Sequence, residues 1–61
     1  MATANNDVDI YDGPGGEFNI VGMLNAGESA IVKGKDQGFY QLLVNVPGGI
    51  GWVAEDHLTV K

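Results

Sequence analysis

The placement of glycine and proline constrains this chain more than any other feature. Gly13-Pro14-Gly15-Gly16, Gly27, Gly34, Gly38 and Pro47-Gly48-Gly49 cut the sequence into short runs in which apolar and polar residues alternate. Alternation with a period of two, bounded by turn-forming residues, marks β-strands with one face packed and one face wet. The expected strands run from Val8 to Tyr11, Ile20 to Leu24, Ser29 to Lys33 and Phe39 to Val46, then through Gly51-Trp52-Val53. Loops are expected at 13–17 and 34–38, and a turn at Asn25-Ala26-Gly27-Glu28. Only Ala54 to Leu58 has room for a helical turn, which precedes a last short strand.

Gly48-Gly49 suits a two-residue hairpin of the primed type, because both positions accept positive φ without steric cost. That turn sets Pro47 opposite Ile50, Val46 opposite Gly51, Asn45 opposite Trp52 and Val44 opposite Val53. Val44, Val46 and Val53 then share one face, and Trp52 lies on the other. Alternation alone does not say which of the two faces is inward. Gly51 is expected where two strands approach closely.

At 61 residues the chain has the length of one domain. Folding at this size buries only about 60% of the surface the unfolded chain exposes, and stability is expected at about 3 to 9 kcal/mol. There is no cysteine, so neither a disulfide nor a thiolate metal site supports the fold. Residues 1–5 are expected to be a disordered tail or residues added for expression, and 6–61 to form the domain. They lack the basic start and apolar run of a secretion signal, and no stretch approaches a membrane span.

Eight acidic residues stand against three lysines, and five of the acids, Asp7, Asp9, Asp12, Glu17 and Glu28, lie in the first half. A phosphate backbone requires the opposite surface, so nucleic-acid binding is rejected, and anionic membranes are disfavoured for the same reason. Catalysis is not expected. Ser29 lies mid-strand without the sharp turn that exposes a nucleophile, His57 is the lone histidine, and no cofactor is implied. Asp7-x-Asp9-x-x-Asp12-Gly13 resembles a calcium loop, but its third acid and glycine come one residue late, and a solvated strand face is the preferred reading. Gly13-Pro14-Gly15-Gly16 has no following helix to make it a phosphate cradle.

Four segments, in order and at matching spacing, resemble the bacterial-type Src homology 3 family. They are Val8-Asp9-Ile10-Tyr11-Asp12-Gly13-Pro14, Ile20-Val21-Gly22-Met23-Leu24-Asn25-Ala26-Gly27, Gly38-Phe39-Tyr40, and Gly51-Trp52-Val53 with Leu58 five positions after Val53. The resemblance covers about residues 6 to 60, and it puts the Val53 face inward, so that the expected core is Val8, Ile10, Ile20, Leu24, Ala30, Val32, Tyr40, Leu42, Val44, Val53 and Leu58. It implies an all-β, small five-stranded SH3-like barrel with one short helical turn before the last strand, acting as a non-catalytic binding module. Family members commonly hold cell-wall hydrolases on peptidoglycan or its stem peptides. The implied partner is therefore a peptidoglycan stem peptide or another extended peptide, and the implied location is the cell envelope or the extracellular space. The family's aromatic groove positions match Phe39, Trp52 and His57, with Tyr11 close to the opening tyrosine motif. Phe39 and Trp52 either floor a groove or cover the barrel ends. Ala54 and His57 replace a proline and a tyrosine of polyproline-binding relatives, so polyproline is not the expected ligand. The acidic surface suits a cationic or amide-rich ligand.

Met23, Ile31 and Leu43 are apolar where the family usually carries Thr, Lys or Arg on outward strand faces. If Lys33 faces Phe39, then Ile31 and Leu43 are diagonal neighbours there. An exposed apolar cluster marks a contact surface, which implies a rival function: docking on a neighbouring domain or self-association.

Overall fold

Turn chemistry and alternation together build an all-β fold. The computed structural model describes residues 1–61. Its strands are β1 (Ala2–Ala4), β2 (Val8–Tyr11), β3 (Ile20–Leu24), β4 (Ser29–Asp36), β5 (Phe39–Leu43), β6 (Ile50–Ala54) and β7 (Leu58–Val60), with a 3-10 turn at Glu55–His57. All pair antiparallel in one seven-stranded sheet, in the order β3-β2-β6-β5-β4-β1-β7. Seven strands replace the expected five, and the sheet does not close, since β3 and β7 stand at its ends.

The amino terminus is the main correction. Residues 1–5 are not a loose tail: β1 lies between β4 and β7, with Ala2 at 0% and Ala4 at 2% exposure. The Ala4 N–H donates to the Glu28 carbonyl at 2.9 Å, and the Ala4 carbonyl accepts from Gly27 N–H at 2.8 Å. Asn5 N–H donates to the His57 carbonyl at 2.9 Å. Alanine carries little β-propensity and little apolar bulk, so the composition of this segment does not advertise a strand. Its small side chains are nevertheless what fit against Ala30 and Leu58.

The β4–β5 turn is tighter than the expected loop. Asp36 pairs with Phe39, leaving Gln37 (φ 50°) and Gly38 (φ 80°) as a two-residue connection with both residues left-handed. Positive φ at both central positions is the type I′ requirement, and its right-handed twist lets β4 continue through Asp36. Lys33 therefore does not face Phe39, and a bulge between Val32 and Gly34 absorbs the extra residue. Gln37 carries a Cβ in the left-handed region, which asparagine tolerates better. Gln37→Asn should raise stability by about 0.5 kcal/mol in urea unfolding, a small gain typical of relieved backbone strain.

Gly48 (φ 86°) and Gly49 (φ 75°) do take positive φ, but the expected two-residue hairpin is wrong. Gly49 N–H donates to the Val46 carbonyl at 2.8 Å. Pro47 and Gly48 are thus the central pair of a turn with proline first and a positive-φ glycine second, the type II arrangement. A proline beside a two-residue hairpin would have no N–H for the closing ladder bond. The strands accordingly separate at Leu43 and Ile50, and β5 and β6 pair as Leu42 with Gly51, Gln41 with Trp52 and Tyr40 with Val53.

The partner of Val53 shifts from Val44 to Tyr40, an even number of positions, so the strand faces survive the error. Val53 is fully buried and Trp52 lies on the outward face. Val8, Ile10, Leu24, Ala30, Leu42, Val53 and Leu58 are buried, and Val32, Tyr40 and Val44 pack partly buried against them. Ile20 is the miss, at 59% exposure. A bulge between Ile10 and Tyr11 in their pairing with β3 sets Ile20 opposite Tyr11 on the outward face, and Val21 packs against the core instead. Gly51 is buried beneath Ile10 and Val44, as its expected close approach requires.

Candidate functional site: an acidic aromatic groove

Tyr11 ends β2 opposite Trp52 of β6, and Phe39 opens β5 opposite Ala54 of β6. These positions alternate with buried Ile10, Leu42 and Val53, so all project from the outward face. Ala54 is too small to fill the space between the outer strands. The Tyr11 and Phe39 rings meet across it edge to face, with centroids 5.9 Å apart and planes at 81°. That geometry sets the positive edge of one ring against the negative face of the other.

Beside this pair lies a groove of about 200 Å³, floored by Val8 and Ala54 and walled by Tyr11, Phe39, His57, Asp7 and Asp9. His57 reaches it from the 3-10 turn. That turn is tied down at both ends: Glu55 N–H donates to the Gly38 carbonyl at 2.9 Å, and the His57 carbonyl accepts from Asn5. Asp7 and Asp9 follow from strand alternation, sharing a side of the chain with Tyr11. Asp7 Oδ1 accepts from Ala26 N–H at 2.8 Å, which fixes one carboxylate at the rim. The nearby lysine Lys35 is held at 3.3 Å from Glu55 Oε2 and lies over the Tyr40 ring at 5.4 Å from its centroid. The groove wall is therefore aromatic and anionic, and it favours a cation.

Of the four expected groove residues, the structure brings Tyr11, Phe39 and His57 together. Trp52 is half-buried between Tyr11 and Gln41 on the same face and does not line the groove. Asp7 and Asp9 are the groove residues that sequence reasoning missed. They were legible as one face of a strand but carried no sign that this face borders aromatics from β5.

Met23, Ile31 and Leu43 are all exposed. Ile31 lies directly opposite Leu43 rather than diagonal to it, and Leu43 lies opposite Ile50, which forms an apolar row across β4, β5 and β6. Met23 stands apart on β3. Ser29 Oγ is hydrogen-bonded to Thr3 Oγ1 at 2.7 Å, and no three His, Cys, Asp or Glu side chains gather to hold a metal. No helix is long and apolar enough to cross a membrane.

Fold and groove together define a small antiparallel β domain with an acidic, aromatic-walled surface groove. No protein-family model matches the chain, and no curated protein matches it.

Proposed function

We propose that this chain is a non-catalytic binding module, an open, elaborated relative of the bacterial-type SH3-like barrel. It recognises an extended peptide, such as a lysine-bearing peptidoglycan stem peptide, at the cell envelope or outside the cell. The observation that carries the reading is the Tyr11–Phe39 edge-to-face pair walled by Asp7, Asp9 and His57. Aromatic walls lose little conformational entropy on covering a ligand, and the carboxylates supply electrostatic selection for a basic or amidated group. The test is a pull-down on purified, insoluble peptidoglycan. Wild type should sediment with it, and Phe39→Ala should lose at least about 2 kcal/mol of binding, roughly thirty-fold, as central aromatic anchors do. Equal retention of the variant would place binding elsewhere.

A second reading, a structural docking or self-associating domain, is favoured by the exposed Ile31–Leu43–Ile50 row. Sedimentation of the wild type without ligand separates the two. A monomer supports the groove reading, and concentration-dependent association supports docking.

A further inference from the structure

The two ends of the sheet are protected unequally. At one end β7 is three residues long and runs into Lys61, the short and lysine-flanked form that blunts an edge. At the other, β3 spans Ile20–Leu24 with no charge and no proline, and the bulge at Val21 is its one blunting device. Its single ladder partner is β2. Although β3 and β4 are consecutive, β4 pairs with β5 and β1 instead. This leaves a cleft of about 420 Å³ between β3, the start of β4 and the end of β5.

The cleft exposes the flank of the core. Ile10, Leu24, Ala30 and Val44 form its apolar wall, and Val46 crosses above Gly22, with its Cγ1 only 3.0 Å from where a Cβ would stand. Its polar end holds Asn25, Ser29, Asn45 and Glu28, and Glu28 is its one charged side chain. The Glu28 Oε1 accepts from Asn25 N–H at 2.7 Å, so the carboxylate is held in place at the cleft end.

We propose that this cleft is a second peptide site, distinct from the aromatic groove, which accepts an extended basic peptide as an eighth strand alongside β3. Backbone groups of an added strand would bond the free β3 edge, and alternate side chains would enter the cleft. An apolar residue covers the Leu24–Val44 wall, and a lysine or arginine meets Glu28. Charge selects this occupant over a second copy of the chain: each copy carries −5 and lines the cleft with a carboxylate and no cation.

Nitrogen–proton correlation spectra of the full chain test this with two synthetic probes, acetyl-Lys-Thr-Val-Thr-Lys-Thr-Val-amide, whose lysines and valines share one face, and the same peptide with glutamate for lysine. The lysine peptide should shift the amides of Ile20–Leu24 and Leu43–Val46, and the glutamate peptide should bind about ten-fold more weakly. Glu28→Gln keeps an oxygen for Asn25 N–H while removing the charge, and it should weaken the lysine peptide by about ten-fold without lowering the melting temperature. Three results overturn the proposal. They are shifts confined to Tyr11, Phe39 and His57, dilution-dependent shifts of the β3 amides without peptide, and no shift up to about 5 mM peptide. The first would leave the aromatic groove standing alone, and the last is independent of the peptidoglycan pull-down.

Discussion

Gly51→Ala should lower the stability of the domain by about 3 kcal/mol. A Cβ on Gly51 would overlap Ile10 Cγ2 and come within 3.0 Å of Val44 Cγ2. Both neighbours belong to or pack on the core, and β6 is held by β2 on one side and β5 on the other, so the strand has no free direction in which to move. Overpacking a closed core costs about 1 to 3 kcal/mol and occasionally more, and the confinement on two sides points to about 3. That is a large share of the stability available to a chain of this length, about 3 to 9 kcal/mol. Adding Ile10→Ala removes the clashing methyl group. The double variant should then be less destabilised than the sum of the two single changes, by at least about 1 kcal/mol, as for residues in direct contact. Strict additivity in urea melts would mean that Gly51 and Ile10 do not touch.

Ala4→Glu should be comparably severe. At 2% exposure the new carboxylate would lie between β4 and β7 without a cationic partner. An uncompensated buried charge costs about 3 to 5 kcal/mol. The damage would spread to β7, because β1 is the only strand with which β7 pairs. Asn6→Glu, two residues on and exposed, is the control and should stay within about 0.5 kcal/mol of wild type. If both variants melt like the wild type, residues 1–5 are a tail after all and β1 does not exist in solution.

Strand positions and faces were largely legible because a period of two is insensitive to how far a partner strand slides, provided it slides an even distance. Trp52 and Val53 therefore stay on opposite faces although the β5–β6 register moves, and the family resemblance is what marks the Val53 face as the inward one. The register itself was not legible. Pro47-Gly48-Gly49 supports either a Gly-Gly or a Pro-Gly turn, and the missing proline N–H decides between them only once the ladder is considered. Bulges were hidden for a related reason: Val21 and Lys33 look like ordinary alternating positions, and only pairing with β2 and β5 shows that each is one residue too many. The alanines of β1 hide their strand because their burial comes from the fit against Ala30 and Leu58 rather than from their own hydrophobic bulk. At the groove, the aromatics were found through family resemblance. The carboxylates of Asp7 and Asp9 were visible only as a charged strand face, since their meeting with Phe39 depends on contacts distant in sequence.

Binding at the groove is tested by a nitrogen–proton correlation titration with a soluble, lysine-bearing stem peptide, repeated with the lysine acetylated. A groove walled by Tyr11, Phe39, His57, Asp7 and Asp9 predicts shifts at those amides and weaker binding at higher salt. It also predicts a several-fold loss of affinity on acetylation, which removes the charge the carboxylates select. Absence of binding, or equal binding of both peptides with the groove amides unmoved, would contradict it.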